Sequence, residues 1–237
     1  METEQKYLLH LLGAYLQKAE PHSADEVDWD VLLSLASIHN VTGIVGYMGK
    51  QHKLSQNPKL NGTFRSLCLN TIVLFTQRHA MAEAMMQKLD QAGIDHILIK
   101  GFVLRNCYPV PELRTFSDID MVIRQEDRAT THNLMLSLGF AVKTDWEPVY
   151  SYYRGNEYYE IHTQIMEINV SEKADYQSYF ANAWTYTTPV SDHSFRFTPE
   201  FHLLYILTHI AKHIHGSGAG IRMYMDVAAF LQHYGSE

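Results

Sequence analysis

An α+β fold, with a central sheet between helical segments at both ends of the chain, is predicted by three observations. Apolar residues recur at helical spacing up to about residue 92, strand-like runs dominate from Ile94, and helical spacing returns from about residue 171. The chain has 237 residues, 46% of them hydrophobic, enough to bury a sizeable core as one compound domain or two small ones. The segments are read as 1–92, N-terminal and helical; 93–170, the sheet-bearing core; and 171–237, mostly helical and one compound unit with the core.

The first helix is marked by Leu8, Leu9, Leu12, Tyr15 and Leu16. Ser23 with Glu26 reads as a capping box ahead of Trp29, Leu32, Leu33 and Ala36. A third helix is expected over 60–92, where Phe64, Leu67, Leu74, Met81, Met85 and Leu89 face a core and Gly93 supplies the stop. Residues 94–100 form an apolar run of strand length, Gly101 opens a short helix over 102–107, and Tyr108-Pro109-Val110-Pro111 forces an extended loop. A strand follows at 118–123, then a helix over 125–138 that ends at Gly139. Further strands are expected at 140–144, 149–154 and 157–165, helices at 171–184 and 199–215, and a short strand between them around Phe195. The glycine-rich loop 216–220 precedes a last helix that ends near Tyr234.

A formal charge of -7 and a pI near 6.0 disfavour bulk nucleic acid as a partner, because binding it requires Lys and Arg to displace phosphate counterions. Cys68 and Cys107 lack metal-ligand spacing, and no secretory leader is read at the start, so a reduced, cytoplasmic setting is the expectation. No apolar stretch approaches the roughly 20 residues of a membrane span.

The chemistry centres on Asp118 and Asp120 in Phe116-Ser117-Asp118-Ile119-Asp120-Met121-Val122-Ile123. Strand side chains alternate at a rise of roughly 3.3 Å per residue, so the two acids project from one face, close enough to share two metal ions about 3.5–4 Å apart. Ile119 and Met121 then point into the core. A bare Asp-x-Asp is equally what a loop with two incidental acids looks like, so the neighbouring residues decide. Upstream, Gly101 lets backbone N–H groups approach a phosphate, and Lys100 adds a point charge. Downstream, Glu160 shares a strand face with Tyr158 and His162, while Tyr159 and Ile161 take the other. If that strand pairs beside the Asp strand, Glu160 completes a three-carboxylate cluster, and the chemistry implied is nucleotidyl transfer.

In order, Leu98-Ile99-Lys100-Gly101, Tyr108-Pro109-Val110-Pro111-Glu112-Leu113-Arg114, Asp118-Ile119-Asp120 and Glu160-Ile161-His162 resemble the nucleotidyltransferase superfamily with the polymerase-beta-type palm. They are most similar to the bacterial family of uncharacterised nucleotidyltransferases, and His209, Lys212, His213, Arg222 and Asp226 extend the similarity toward the C-terminus. Members of that family run longer, which leaves room for a C-terminal portion beyond this sequence.

The resemblance implies a nucleotidyltransferase-type mixed β-sheet and a reaction that moves a nucleoside monophosphate from an NTP to an acceptor with release of pyrophosphate. It assigns Asp118 and Asp120 to two Mg2+ (or Mn2+) ions, Gly101 to the triphosphate, and Glu160 either to metal or to the base that deprotonates the acceptor. The acceptor is open among a small molecule, a sugar and a protein, and the oligomeric state is open too. One departure is Phe102, where the superfamily usually has Gly or Ser; it motivates the alternative of a palm-fold domain that binds nucleotide or a protein partner without transfer.

Arg114 and Lys212 are the further nucleotide-binding candidates: Arg114 as a phosphate clamp or a salt-bridging loop residue, Lys212 as a phosphate contact or a surface lysine. His162 either orients Glu160 or is structural. His209 and His213 have the spacing of a helical zinc pair, but Ile210 stands where the zinc-protease motif has Glu. The 216–220 loop lacks the Gly-Lys-Ser/Thr ending of a P-loop. Tyr150, Tyr152, Tyr153, Tyr158 and Tyr159 read as sheet packing, with base stacking the alternative.

Overall fold

Seven strands form one mixed sheet in the computed structural model, which describes residues 2–23, 26–166, 175–216 and 218–235. The strands are β1 (His96–Leu98), β2 (Ile119–Ile123), β3 (Ala141–Trp146), β4 (Val149–Arg154), β5 (Glu157–His162), β6 (Thr187–Pro189) and β7 (Ser194–Phe197), in the order β3-β4-β5-β2-β1-β7-β6. Consecutive hairpins join β3 to β4, β4 to β5 and β6 to β7, whereas β5 runs parallel to β2 and β7 parallel to β1. The two parallel pairings put long-range partners beside the central strands, and both require crossover connections. The expected α+β class with a mixed sheet is what the chain adopts.

The helices are α1 (Thr3–Leu16), α2 (Trp29–Ile38), α3 (Thr42–Gln51), α4 (Pro58–Gln91), α5 (Gly101–Leu104), α6 (Arg128–Ser137), α7 (Tyr176–Ala181), α8 (Pro199–His215) and α9 (Ile221–Tyr234). Two compact units result. One comprises Met1–Gln77, Leu104–Thr115 and Gly218–Glu237; the other comprises Arg78–Val103 and Phe116–Ser217. The division differs from the expected segments at 92 and 170. α9 shares a hydrophobic core with the N-terminal helices, through Met225 and Ala229 beside Leu11, Leu12 and Ile44, while α4 from Arg78 onward belongs with the sheet.

In the helical unit the cap of α2 is Asp28, whose carboxylate accepts from the amides of Asp30 and Val31, in place of the expected Ser23–Glu26 box. The helix α3 was not anticipated, because Gly43, Gly46 and Gly49 weaken the helical signal. Those glycines are the reason it packs. They recur every third residue on one face, and a Cβ on Gly46 would lie 2.6 Å from the Phe64 carbonyl of α4. Their backbone therefore lies directly on α4, an approach that side chains would prevent.

In the sheet unit, alternation puts Ile119, Met121, Tyr159 and Ile161 on a fully buried face, where the Tyr159 hydroxyl donates to the Met81 carbonyl of α4. The other face carries Ile97, Ile99 and Val122 beneath Phe180 of α7 and Phe201 and Tyr205 of α8. One end of the central strands is tied by Asp95, which accepts from His193 Nδ1 at 2.9 Å and Arg124 Nε at 2.8 Å. The strand β6 was missed because its three residues carry no alternation. The start of the helix expected over 171–184, and Ser217 of the glycine-rich loop, lie outside the described residues.

Gly46→Ala is expected to destabilise the chain by about 1–3 kcal/mol through overpacking against α4. Gly13→Ala in α1, where a Cβ meets nothing within 4 Å, should instead stabilise by about 0.5–1 kcal/mol. Urea unfolding of the two variants measures both, and equal effects would contradict the packing argument.

Candidate active site

The site is assembled by the parallel pairing of β2 with β5, whose register sets Asp120 beside Glu160 and Val122 beside His162. Period-two alternation sends Asp120, Glu160 and His162 to the face that α7 and α8 cover. One ligand atom from each lies within 4.8 Å of the others. The turn between β1 and α5 brings in Lys100, whose Nζ reaches Asp120 Oδ1 at 2.5 Å and Glu160 Oε2 at 3.9 Å. Lys100 holds a left-handed backbone (φ 51°), a conformation that a non-glycine residue adopts only at a cost. Its side chain reaches Asp120 of β2 and Glu160 of β5, so the left-handed position falls on Lys100, beside the glycine from which the turn was expected.

Asp120 is almost fully buried. Burial acts to raise its carboxyl, but the Lys100 ammonium and the His162 hydrogen bond outweigh it and hold it well below the usual carboxylate range. Glu160 moves the other way, raised by burial and by the Asp120 charge, with Asp118 adding to it. Two carboxylates side by side thus have opposite tendencies, one kept ionised and one inclined to keep a proton. Lys100 is held above the ordinary lysine value: burial opposes its charge, and Asp120 more than restores it.

His162 Nε2 lies 3.2 Å from Asp120 Oδ1 and 3.9 Å from Glu160 Oε2. Among the described residues, its Nδ1 is buried with no hydrogen-bond partner. Binding metal through Nε2 would put the proton on Nδ1, where no acceptor waits, and an orphaned buried N–H is the costlier state. The favoured arrangement has Nε2–H donating to Asp120, which leaves two carboxylates as the metal donors. Hard oxygen donors suit Mg2+ or Mn2+, so the residues fit the ions that the resemblance implied.

The other candidates fall as follows. Asp118 sits one residue before β2, half-buried, and accepts from Ser117 Oγ at 3.2 Å; its charge reaches Glu160, but it stands outside the tight cluster. Gly101 is the first residue of α5. Lys212 lies on α8, where its charge acts on His209. Arg114 is in the helical unit: its Nε and Nη2 donate to Asp226 at 3.0 and 2.6 Å, and its Nη1 donates to the Thr115 carbonyl. Tyr108 adds a hydrogen bond to Asp226 at 2.6 Å. Of the two readings of Arg114, the salt bridge is the one observed, with Asp226 as its partner.

His162, read either as orienting Glu160 or as structural, stands closer to Asp120 than to Glu160. His209 and Tyr205 were not recognised as neighbours of the site. Burial and then the Lys100 charge push the His209 imidazole down to about 3. The only available signal was that Tyr205, His209 and Lys212 share a helical face. Among the described residues, His209 and His213 belong to no three-ligand group, so the zinc reading lacks a third ligand.

With this geometry established, a family model for uncharacterised nucleotidyltransferases matches residues 25–237, and the chain belongs to that family. No curated protein matches it by sequence. Among solved structures, the antibiotic-resistance factor ANT(2'')-Ia in solution is similar with a TM-score of 0.51 at 13% identity, over 68% of this chain and 86% of that one. ANT(2")-Ia in complex with adenylyl-2"-tobramycin gives a TM-score of 0.49 at 13% identity, over 68% and 91%. An antigenic nucleotidyltransferase-like protein from Paracoccidioides brasiliensis gives 0.41 at 18% identity, over 65% and 75%. The fold is that of the nucleotidyltransferases.

Two predictions follow from the charges. The folded chain binds the Glu160 proton more tightly than the unfolded chain does, an advantage present at acid pH and lost as pH rises through the folded value. Glu160→Gln in metal-free protein is therefore expected to raise the Tm at about pH 8, with the gain shrinking toward about pH 5. A pH-independent shift would contradict this. Asp226→Ala, which strands the buried Arg114, is expected to cost about 3–5 kcal/mol in urea unfolding.

Proposed function

We propose that the protein transfers a nucleoside monophosphate from an NTP to an acceptor hydroxyl, with release of pyrophosphate. The observation that carries this reading is the Asp120–Glu160 pair, set side by side by the β2–β5 register in a chain of a nucleotidyltransferase family. Two divalent ions, Mg2+ or Mn2+, when bound at Asp120 and Glu160 with Asp118 at the margin, would stabilise the charge that develops on the phosphates and the attacking oxygen. Asp120 is kept ionised for such binding by Lys100 and held in place by His162 Nε2.

Glu160 is the residue able to hold or release a proton, and we assign it either to metal or to the base that receives the acceptor proton. The acceptor oxygen bonds to the α-phosphorus as the bond from the α-phosphorus to the bridging oxygen breaks, and pyrophosphate leaves with the bonding pair. Gly101 and Lys100 meet the triphosphate, and Lys212 is placed on the same donor. Arg114, with its guanidinium engaged by Asp226, acts on this reading by holding its loop.

The acceptor belongs to small molecules, sugars or proteins, since the net charge of -7 disfavours bulk nucleic acid. No helix among the described residues is long and apolar enough to cross a membrane. The free thiols Cys68 and Cys107 support a reducing, cytoplasmic setting. A second reading rests on Phe102, whose ring packs between His79 and Phe116 and offers no hydroxyl to a phosphate: a palm domain that binds nucleotide without transferring it.

The test incubates the protein with Mg2+ or Mn2+, each α-labelled NTP and a cell extract, and follows label and pyrophosphate. Labelled product and pyrophosphate are expected, and Asp120→Asn with Glu160→Gln should reduce both at least about a thousandfold. NTP binding with no pyrophosphate from any NTP would favour the Phe102 reading.

A further inference from the structure

The helix α8 lays one polar face against the acid site. Tyr205, His209, Lys212 and His213 fall at i, i+4, i+7 and i+8 and so share a side. Their rings form a continuous row: Tyr205 to His209 at 5.9 Å between centroids, and His209 to His213 at 4.6 Å, edge on. Tyr205 is buried in the core of Ile97, Ile99 and Val122, which fixes the direction in which the row faces. Lys100 feels the Tyr205 hydroxyl, and His209 feels both Lys100 and Asp120. The packing places this face beside the acids: Tyr205 shares its buried cluster with Ile99, whose amide donates to the Asp120 carbonyl, and with Val122, two residues along β2 from Asp120 on the same side.

The two walls differ in chemistry. The sheet wall offers the carboxylates of Asp120 and Glu160, which take a cation; the α8 wall offers an ammonium and two imidazoles, which are donors. A polyphosphate carrying metal on one side and bare oxygens on the other matches such a pair of walls. With its pKa pushed down to about 3 by burial and by Lys100, His209 is a poor base at neutral pH, but its ring still has one N–H to give.

We propose that His209 touches the donor nucleotide, giving its N–H to a β- or γ-phosphate oxygen, with Lys212 and His213 completing a phosphate subsite on α8. This rests on the reading of an NTP as donor. The contact is to phosphate, so it serves every base alike and contributes nothing to base selectivity. It involves the two phosphates that leave as pyrophosphate, so a nucleoside monophosphate does not use it.

Calorimetric titration of the whole chain with ATP and with AMP, in Mg2+, tests the contact. His209→Leu, which keeps bulk and removes the donor, is expected to weaken ATP binding roughly tenfold or more and AMP binding less than about twofold. His209→Asn, which keeps an N–H, should hold ATP within about threefold of the wild type. ATP affinity unchanged in His209→Leu, or ATP and AMP weakened equally, would overturn the inference. Should His209→Leu fail to fold, Lys212→Gln reads the same subsite through the same ATP-to-AMP ratio. Wild-type protein that binds none of ATP, GTP, CTP and UTP removes the donor reading itself, whereas binding with an unchanged ratio removes only the His209 contact.

Discussion

The parallel pairing of β2 with β5 is the constraint on which the site depends. Its register places Asp120 directly across from Glu160, and two carboxylates at that spacing, one buried and one half-buried, repel each other and resist desolvation together. The Lys100 ammonium makes the arrangement tolerable by sitting 2.5 Å from one and 3.9 Å from the other. Much of the local architecture follows from bringing that single cation there. The strand β1 must lie next to β2, the chain must turn sharply at its end, and Lys100 must accept a left-handed backbone. An uncompensated carboxylate pair would be a liability; the ammonium beside both offsets their charge.

The same face also has to exclude water, and it does so unevenly. Val122, Ile97 and Ile99 are sealed by Phe180, Phe201 and Tyr205, so the strands beneath the site are anchored by apolar burial. The polar cluster is half-sealed: Asp120 and His162 are buried, while Glu160 and Asp118 keep partial exposure. This gradient separates the two acids: Lys100 and His162 favour the charged form of the deeper carboxylate, while burial and the Asp120 charge favour the protonated form of the shallower one.

In the helical unit the corresponding constraint is a buried ion pair. Asp226 of α9 takes both Arg114 nitrogens and the Tyr108 hydroxyl, and Arg222 of the same helix donates to the Thr115 carbonyl. A Pro-rich segment whose regular structure is a short 3-10 turn at Pro111–Leu113 is thereby given a defined path by charge-assisted hydrogen bonds. Arg114 and Asp226 are each a buried charge that the other balances, so the two are legible only together.

How much of this could be read in advance depended on the range of the interaction. Alternation along single strands placed Ile119 and Met121 in the core and set Tyr159 and Ile161 on the face opposite Glu160 and His162, because side-chain direction in a strand is a local property. The acids, the lysine and the order of motifs were visible for the same reason, as was the resemblance to the family that the comparison then established. The α3 helix escaped because its glycines are explained only by α4, and Arg114 looked available because Asp226 lies 112 positions away. The action of the Lys100 charge on His209 likewise arises where α8 lies over the sheet. The sequence by itself determined which residues carry charge and which strand face each one takes; only the tertiary structure decided which charges meet. Direction along a strand is set by neighbouring residues, whereas pairing is set by long-range register and packing.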